Sequence, residues 1–208
     1  MNEKDFIDIL CDDDGQYCEE LRIKALSMNV PIIKRESLSL IKTIIAMKKP
    51  QSILEVGTGI GYSAAVMSTV APEDCHIWTI EKYEPRFAYI DEVVSHIGSD
   101  KLTSIKMDAA EYLSRRDRVY DMIFMDAAKG QYVHWLEDVV ASLEIGGVLI
   151  SDNCLQDSRL PLPRNMLERR DRTIHSRMRE YLYRLMHDDR LVSSILSIGD
   201  GVAISVKK

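Results

Sequence analysis

Between Val119 and Ser151 the chain spells one strand, one helix and a second strand with almost nothing between them. Val119-Tyr120-Asp121-Met122-Ile123-Phe124-Met125 is short, mostly apolar and free of Gly and Pro, as a strand buried on both faces reads. From Gln131 onward Trp135, Leu136, Val139, Val140 and Leu143 recur at helical spacing, with Gly146-Gly147 as the predicted stop and Val148-Leu149-Ile150 as the next strand. Strand, helix, strand in this order closes as a right-handed crossover, so the two strands run parallel and end on one edge of a sheet.

The same alternation extends upstream to Ser52. Ser52-Ile53-Leu54-Glu55-Val56 and Cys75-His76-Ile77-Trp78-Thr79-Ile80 read as buried strands, with a further one around Leu102 to Lys106. Leu191 to Ile198 and Val202 to Val206 flank Gly199-Asp200-Gly201 as a terminal hairpin. The expected class is α/β: a Rossmann-like, doubly wound, seven-stranded and mostly parallel sheet ending in an antiparallel hairpin, with helices on both faces. Residues 1–50 form an N-terminal helical extension, in which Pro31 separates two helices and Leu38, Ile41, Ile44, Ile45 and Met47 make an apolar stripe. With 208 residues, 46% hydrophobic content and no Pro/Gly/Ser-rich linker, a single domain over 1–208 is the simplest count.

Open α/β sheets bind ligands at the carboxyl ends of their strands, so the residues just past each run are site candidates. Asp126, Asp152 and Asn153 offer only oxygen donors, with Lys129 three residues after the first. That set suits a hard divalent cation beside a proton-accepting amine: magnesium, with manganese or calcium as alternatives. Taken singly, Asp126 is a helix cap and Asp152-Asn153 a turn. Their convergence on one edge argues for a site.

Past the first strand comes Gly57-Thr58-Gly59-Ile60-Gly61-Tyr62-Ser63, whose small residues let a ligand approach the backbone. Tyr62 stands where the dinucleotide fingerprint needs its third glycine, and the P-loop lysine is missing, so a nicotinamide cofactor with its pyrophosphate fits poorly. Glu81 ends the second strand where an acidic residue takes ribose hydroxyls, a role shared by several nucleoside cofactors. Asp108-Ala109-Ala110-Glu111 is a third candidate at the same edge, with a helix cap and acidic first turn as its plainer role.

Ile53 to Ser63, Glu81, Phe124 to Tyr132 and Ser151-Asp152-Asn153 together resemble the metal-dependent O-methyltransferases related to caffeoyl-CoA and catechol O-methyltransferases, over nearly the whole chain. Within that family, Val30-Pro31-Ile32-Ile33-Lys34-Arg35-Glu36, Asp126 to Tyr132 and the ending Ile198 to Lys208 are similar to bacterial tRNA 5-hydroxyuridine methyltransferases. The resemblance implies S-adenosylmethionine bound over Gly57, Thr58, Gly61, Tyr62 and Ser63, with Ile33, Glu55, Glu81, Asp108, Ala109 and Asp126 as further cofactor contacts. It implies a metal on Asp126, Asp152 and Asn153, with Lys129 as general base beside Asp126, and a homodimer. Two departures stand out: Gly59, where many relatives carry alanine, and Cys154-Leu155-Gln156-Asp157, where relatives more often have an apolar or aromatic residue and then glycine.

On this reading a magnesium-dependent enzyme moves a methyl group from S-adenosylmethionine to a hydroxyl, with 5-hydroxyuridine at the tRNA wobble position, giving 5-methoxyuridine, as the leading acceptor. A cation chelated by that hydroxyl and an adjacent oxygen lowers the hydroxyl pKa and fixes its approach. A catechol presents an equivalent oxygen pair, so a small-molecule, catechol-like acceptor is the alternative. A nucleic-acid-binding module without turnover is the non-enzymatic one, and the complete set Asp126, Lys129, Asp152 and Asn153 argues against it.

The substrate choice turns on the rim. Arg164, Arg169, Arg170, Arg172, Arg177, Arg179 and Arg184 stand against only Glu168, Asp171 and Glu180, in a chain of formal net charge -6. Arg35, Arg164, Arg169 and Arg170 are the candidate tRNA contacts, since guanidinium groups pair with phosphates. The plainer role is a solvated helix face over a buried side of Ile174, Met178, Tyr181, Leu182 and Leu185. Cys11, Cys18, Cys75 and Cys154 show no paired metal spacing, and no secretory signal or long apolar span is evident, pointing to a reduced cytoplasmic protein without a membrane partner. Cys154, beside the candidate ligands, is either reactive or simply small.

Overall fold

A computed structural model describes residues 3–11, 14–155 and 160–208. Its strands are β1 (Ser52–Val56), β2 (His76–Glu81), β3 (Leu102–Lys106), β4 (Tyr120–Met125), β5 (Leu143–Ser151), β6 (Leu191–Leu196) and β7 (Val202–Lys207). They form a seven-stranded sheet in the order β3-β2-β1-β4-β5-β7-β6. The pairs β1·β2, β2·β3 and β4·β5 are parallel, while β7 runs antiparallel to both β5 and β6, which is the mostly parallel sheet with an antiparallel ending that the alternation predicts. The helices are α1 (Glu3–Leu10), α2 (Gln16–Ser27), α3 (Arg35–Lys48), α4 (Tyr62–Val70), α5 (Phe87–Ile97), α6 (Ala109–Arg115), α7 (Tyr132–Ala141) and α8 (Arg172–Met186).

Residues 1–107 and 108–208 form two compact units. In the first, β1 and β2 bury Ile53, Leu54, Val56, Ile77 and Ile80, and α4 is buried from Tyr62 through Met67, as a helix apolar on every side must be. The apolar stripe of α3 is narrower than predicted: Leu38, Ile41 and Ile45 are buried, but Met47 is 80% exposed. Met47 lies about 200° around the helix from Ile45, on the opposite face.

In the second unit the predicted helix stop is displaced. Gly146-Gly147 do not end the helix: α7 finishes at Ala141, and β5 has already begun at Leu143. Tyr120 pairs with Leu143 and Met122 with Val148, so the intervening residues of β5 bulge out of the ladder, with Gly146 at φ 72. A Cβ on Gly147 would stand 2.7 Å from the Glu144 carbonyl oxygen, so both glycines serve the bulge. Leu143 is buried as a strand residue, and that burial is what let it pass for the last helical position. On α8, Met178, Tyr181, Leu182 and Leu185 are buried as expected, but Ile174 is 42% exposed and His175 turns inward instead. His175 Nε2 donates to the carbonyls of Leu160 and Leu162, each at 3.1 Å. Among the described residues no helix is long and apolar enough to cross a membrane.

Candidate active site

β4 and β5 end side by side. Met125 pairs with Ser151, and the Asp152 N–H donates to the Met125 carbonyl at 3.0 Å, so Asp126 and Asp152 leave two adjacent strand ends together. Lys129 opens a 3-10 turn (Lys129–Gln131), and its Nζ donates to Asp126 Oδ1 at 2.6 Å and to the Tyr132 hydroxyl at 3.3 Å. Asp126 is therefore engaged by the lysine, and Ala128, not Asp126, caps the turn that follows.

Asp152 is 2% exposed, and its Oδ1 has no hydrogen-bond partner, while Oδ2 accepts from Asn153 Nδ2 at 3.2 Å. Burial, and then the negative charge of Asp126, raise its carboxyl to about 6. A buried, unpartnered carboxylate oxygen is costly, and native structures retain such groups for a reason such as ion binding. Asn153 takes φ 60, a left-handed conformation that asparagine tolerates and most side chains do not. Among the described residues no three His, Cys, Asp or Glu side chains cluster as a metal site. The donor set is two carboxylates and one amide oxygen, which fits a hard divalent cation and not zinc or copper. Cys154 is fully buried, its Sγ 3.1 Å from the Ser151 carbonyl, and burial pushes the thiol up to about 12, so it is an inert packing residue.

The glycine loop belongs to the first unit. Gly57 and Thr58 both donate their N–H groups to the Ile80 carbonyl at 3.1 Å, which ties the loop to the end of β2. Gly59 and Gly61 have φ 60 and 94, and Gly61 serves as the N-cap of α4. Glu55 lies beneath, fully buried, accepting from the hydroxyls of Ser63 and Thr79, while the Thr58 and Thr79 hydroxyls meet at 2.6 Å. Tyr62 is buried, and that burial raises its phenol above the usual range. Glu81 Oε2 accepts from the Gly59 N–H and Arg86 Nη1, both at 3.1 Å, and Oε1 accepts from the N–H groups of Lys82 and Tyr83. Ile33 is 4% exposed, and Val30 packs with Ala25 and Ile60 so that the N-terminal segment rests on the loop.

Asp108 is the N-cap of α6, accepting from the Ala110 N–H at 2.8 Å, with Ala109 buried behind it. The arginines are largely engaged. Arg35 pairs with Glu19 at 2.9 Å and Arg170 with Glu168 at 2.9 Å. Arg172, Arg177, Arg179 and Arg184 donate to the carbonyls of Leu167, Gly130, Leu160 and Val133. Arg169 is exposed. Gln156, Asp157 and the side chain of Arg164 lie outside the described residues. Two residues of these sites have no role assigned by the motifs: Tyr132, which stands at the end of one and whose hydroxyl joins Lys129, and Thr79, which braces Glu55. Polar groups inside otherwise apolar, buried segments were their available signal.

Residues 10–208 match the family model described as O-methyltransferase. Tapetum-specific methyltransferase 1 of Arabidopsis thaliana is 29% identical over 182 residues, covering 85% of this chain and 77% of its own. Caffeoyl-CoA O-methyltransferase of Populus kitakamiensis is 29% identical over 194 residues, with the same 85% and 77% coverage. A Staphylococcus aureus structure with the provisional designation caffeoyl-CoA O-methyltransferase superposes with a TM-score of 0.90 at 32% identity, covering 99% of each chain. A Bacillus cereus O-methyltransferase in complex with S-adenosylhomocysteine shares the fold at 18% identity and a TM-score of 0.85, over 99% of this chain and 96% of its own. The first conclusion is the class: an enzyme built on the Rossmann-like methyltransferase sheet. The chain belongs to the O-methyltransferase family and is S-adenosylmethionine-dependent.

Proposed function

We propose that this protein is a divalent-metal-dependent O-methyltransferase for small molecules that present two adjacent oxygens, as a catechol does. The observation that carries the reading is the buried, unpartnered Oδ1 of Asp152 at the strand end beside Asp126, which Lys129 contacts. S-adenosylmethionine, held at Gly57 to Ser63 and by Glu81, supplies the methyl group on a sulfonium. Asp126, Asp152 and Asn153 would hold a divalent cation such as magnesium, which would supply positive charge to acidify the acceptor hydroxyl. Lys129 Nζ, in its neutral form, would accept the hydroxyl proton, and the oxygen–methyl bond would form as the sulfonium's sulfur–carbon bond breaks, releasing the thioether. Tyr132 holds the lysine in place during this transfer.

Caffeoyl-CoA, named for the Populus relative, is a small molecule with a catechol ring, and the arginines of the α8 region are mostly occupied by carbonyls and acids of the same unit. Both points favour a small acceptor over tRNA. The test is mass spectrometry of reactions containing S-adenosylmethionine and magnesium, run with a dihydroxycinnamoyl thioester, with a free catechol and with tRNA carrying 5-hydroxyuridine, each with a chelated control. Metal-dependent methylation of a catechol supports the proposal. Formation of 5-methoxyuridine alone moves the substrate to tRNA, and full activity under chelation overturns the metal role.

A further inference from the structure

We infer that Tyr132 and Tyr181 form a paired strut that sets the spacing between Asp126 and Asp152, making both tyrosines positioning residues for the metal centre. The inference rests on the metal reading above. Tyr132 is fully buried at the start of α7, and its hydroxyl has three partners in the segment that carries Asp126 and Lys129. It accepts from the Ala127 N–H at 3.2 Å and from Lys129 Nζ at 3.3 Å, and it donates to the Met125 carbonyl at 2.9 Å. Tyr181 is fully buried on α8, and its hydroxyl lies 2.5 Å from Ser151 Oγ, on the residue just before Asp152. The two rings meet edge to face, with centroids 5.4 Å apart and planes at 72°.

One ring therefore holds the end of β4 and the other the end of β5, and their contact is a lateral link separate from the strand ladder. Burial raises both phenols well above the usual value, so each keeps its hydroxyl proton. Arg177 fastens the same turn from α8, with Nη1 donating to the Gly130 carbonyl at 3.3 Å. Cation–oxygen bonds of about 2.0–2.6 Å leave little room for the ligands to drift, and groups that orient metal ligands are typically worth about 10–100-fold in affinity.

The experiment measures Mn2+ binding to the full chain by calorimetry, with S-adenosylhomocysteine binding and thermal melts on the same samples, for Tyr132→Phe, Tyr181→Phe, their double variant and Ser151→Ala. The expected result is a Kd for Mn2+ raised about 10-fold in each single tyrosine variant, with a double variant that is less than multiplicative. Ser151→Ala should reproduce Tyr181→Phe, because it removes the same hydrogen bond from the other side. The Kd for S-adenosylhomocysteine stays within twofold throughout. Mn2+ affinity unchanged in both single variants overturns the inference, as does a parallel loss of both affinities, which would mark the pair as general core support. Absence of Mn2+ binding by the unaltered protein overturns the metal reading itself, and the strut with it.

Discussion

Met125 and Ser151 are register partners across β4 and β5, and the two acids of the proposed centre are counted from that pair. Asp126 is the first residue beyond one partner and Asp152 the first beyond the other. A register slip of one residue would turn one side-chain set to the opposite face, so the buried ladder specifies the acid pair as firmly as it specifies the core.

Asp152→Asn is expected to stabilise the metal-free protein while removing metal-dependent activity. The carboxyl is raised from 3.8 to about 6 in the folded chain, so the protonated form folds more stably than the ionised one. Its contribution is fully present below about pH 4 and lost as pH rises through about 6. The amide never ionises, so in chelator the variant should gain nothing at pH 4 and up to about 3 kcal/mol above pH 7. Melting curves across that range read this directly, and a variant less stable at pH 8 than the unaltered chain would contradict the burial argument.

Lys129→Met should lower kcat by about 10²–10⁴ while leaving cation affinity undiminished. The lysine Nζ donates to Asp126 Oδ1 at 2.6 Å, so it competes with a cation for that oxygen instead of helping to bind it. Single-turnover rates and Mn2+ titration on the same preparation separate the two effects. A kcat within threefold of the unaltered enzyme would remove Lys129 from the proton-transfer role.

The parallel core and its carboxyl edge were legible because buried strands are continuous apolar runs and the residue after each run is fixed by topology. Asp126, Asp152 and Asn153 could be grouped on that basis alone. The β5 bulge was not legible, since Gly146-Gly147 has the same composition as a helix stop and only the pairing of Tyr120 with Leu143 distinguishes them. The tyrosine pair was equally hidden: Tyr181 could be read as core from its spacing, but its partner Ser151 is 30 residues away and no local pattern links them. Nor does an arginine count tell a phosphate-binding patch from side chains that cap carbonyls, which is what Arg177, Arg179 and Arg184 do.

Gly59→Ala and Gly61→Ala should separate sharply. A Cβ on Gly59 would meet only Val30 Cγ1 at 3.7 Å, an ordinary contact, so its cost is the left-handed backbone at φ 60, about 1 kcal/mol. At Gly61 the Cβ would come within 2.9 Å of Val93 Cγ2, with φ at 94. We expect a small drop in melting temperature and S-adenosylhomocysteine affinity within about fivefold for the first. For the second we expect a loss of several degrees and binding weakened by at least tenfold. Equal effects would mean that the loop is held by something other than this packing.

Charge reversal at Arg169 and Arg170 tests the rim. Arg170 is 77% exposed on its side chain, and its pairing with Glu168 is a surface ion pair, which is typically worth about 0–1 kcal/mol. Arg169 is exposed as well, so the double change to glutamate should leave the melting temperature within about 2 °C. If the acceptor is a small catechol-like molecule, its kcat/KM should stay within about threefold and show little response to added salt. A polyanionic acceptor predicts the opposite, because each lost phosphate contact weakens binding and flattens the salt dependence by about one counterion. Measuring methyl transfer in the double variant between 50 and 200 mM salt therefore assigns those two arginines either to a solvated surface or to a nucleic-acid interface.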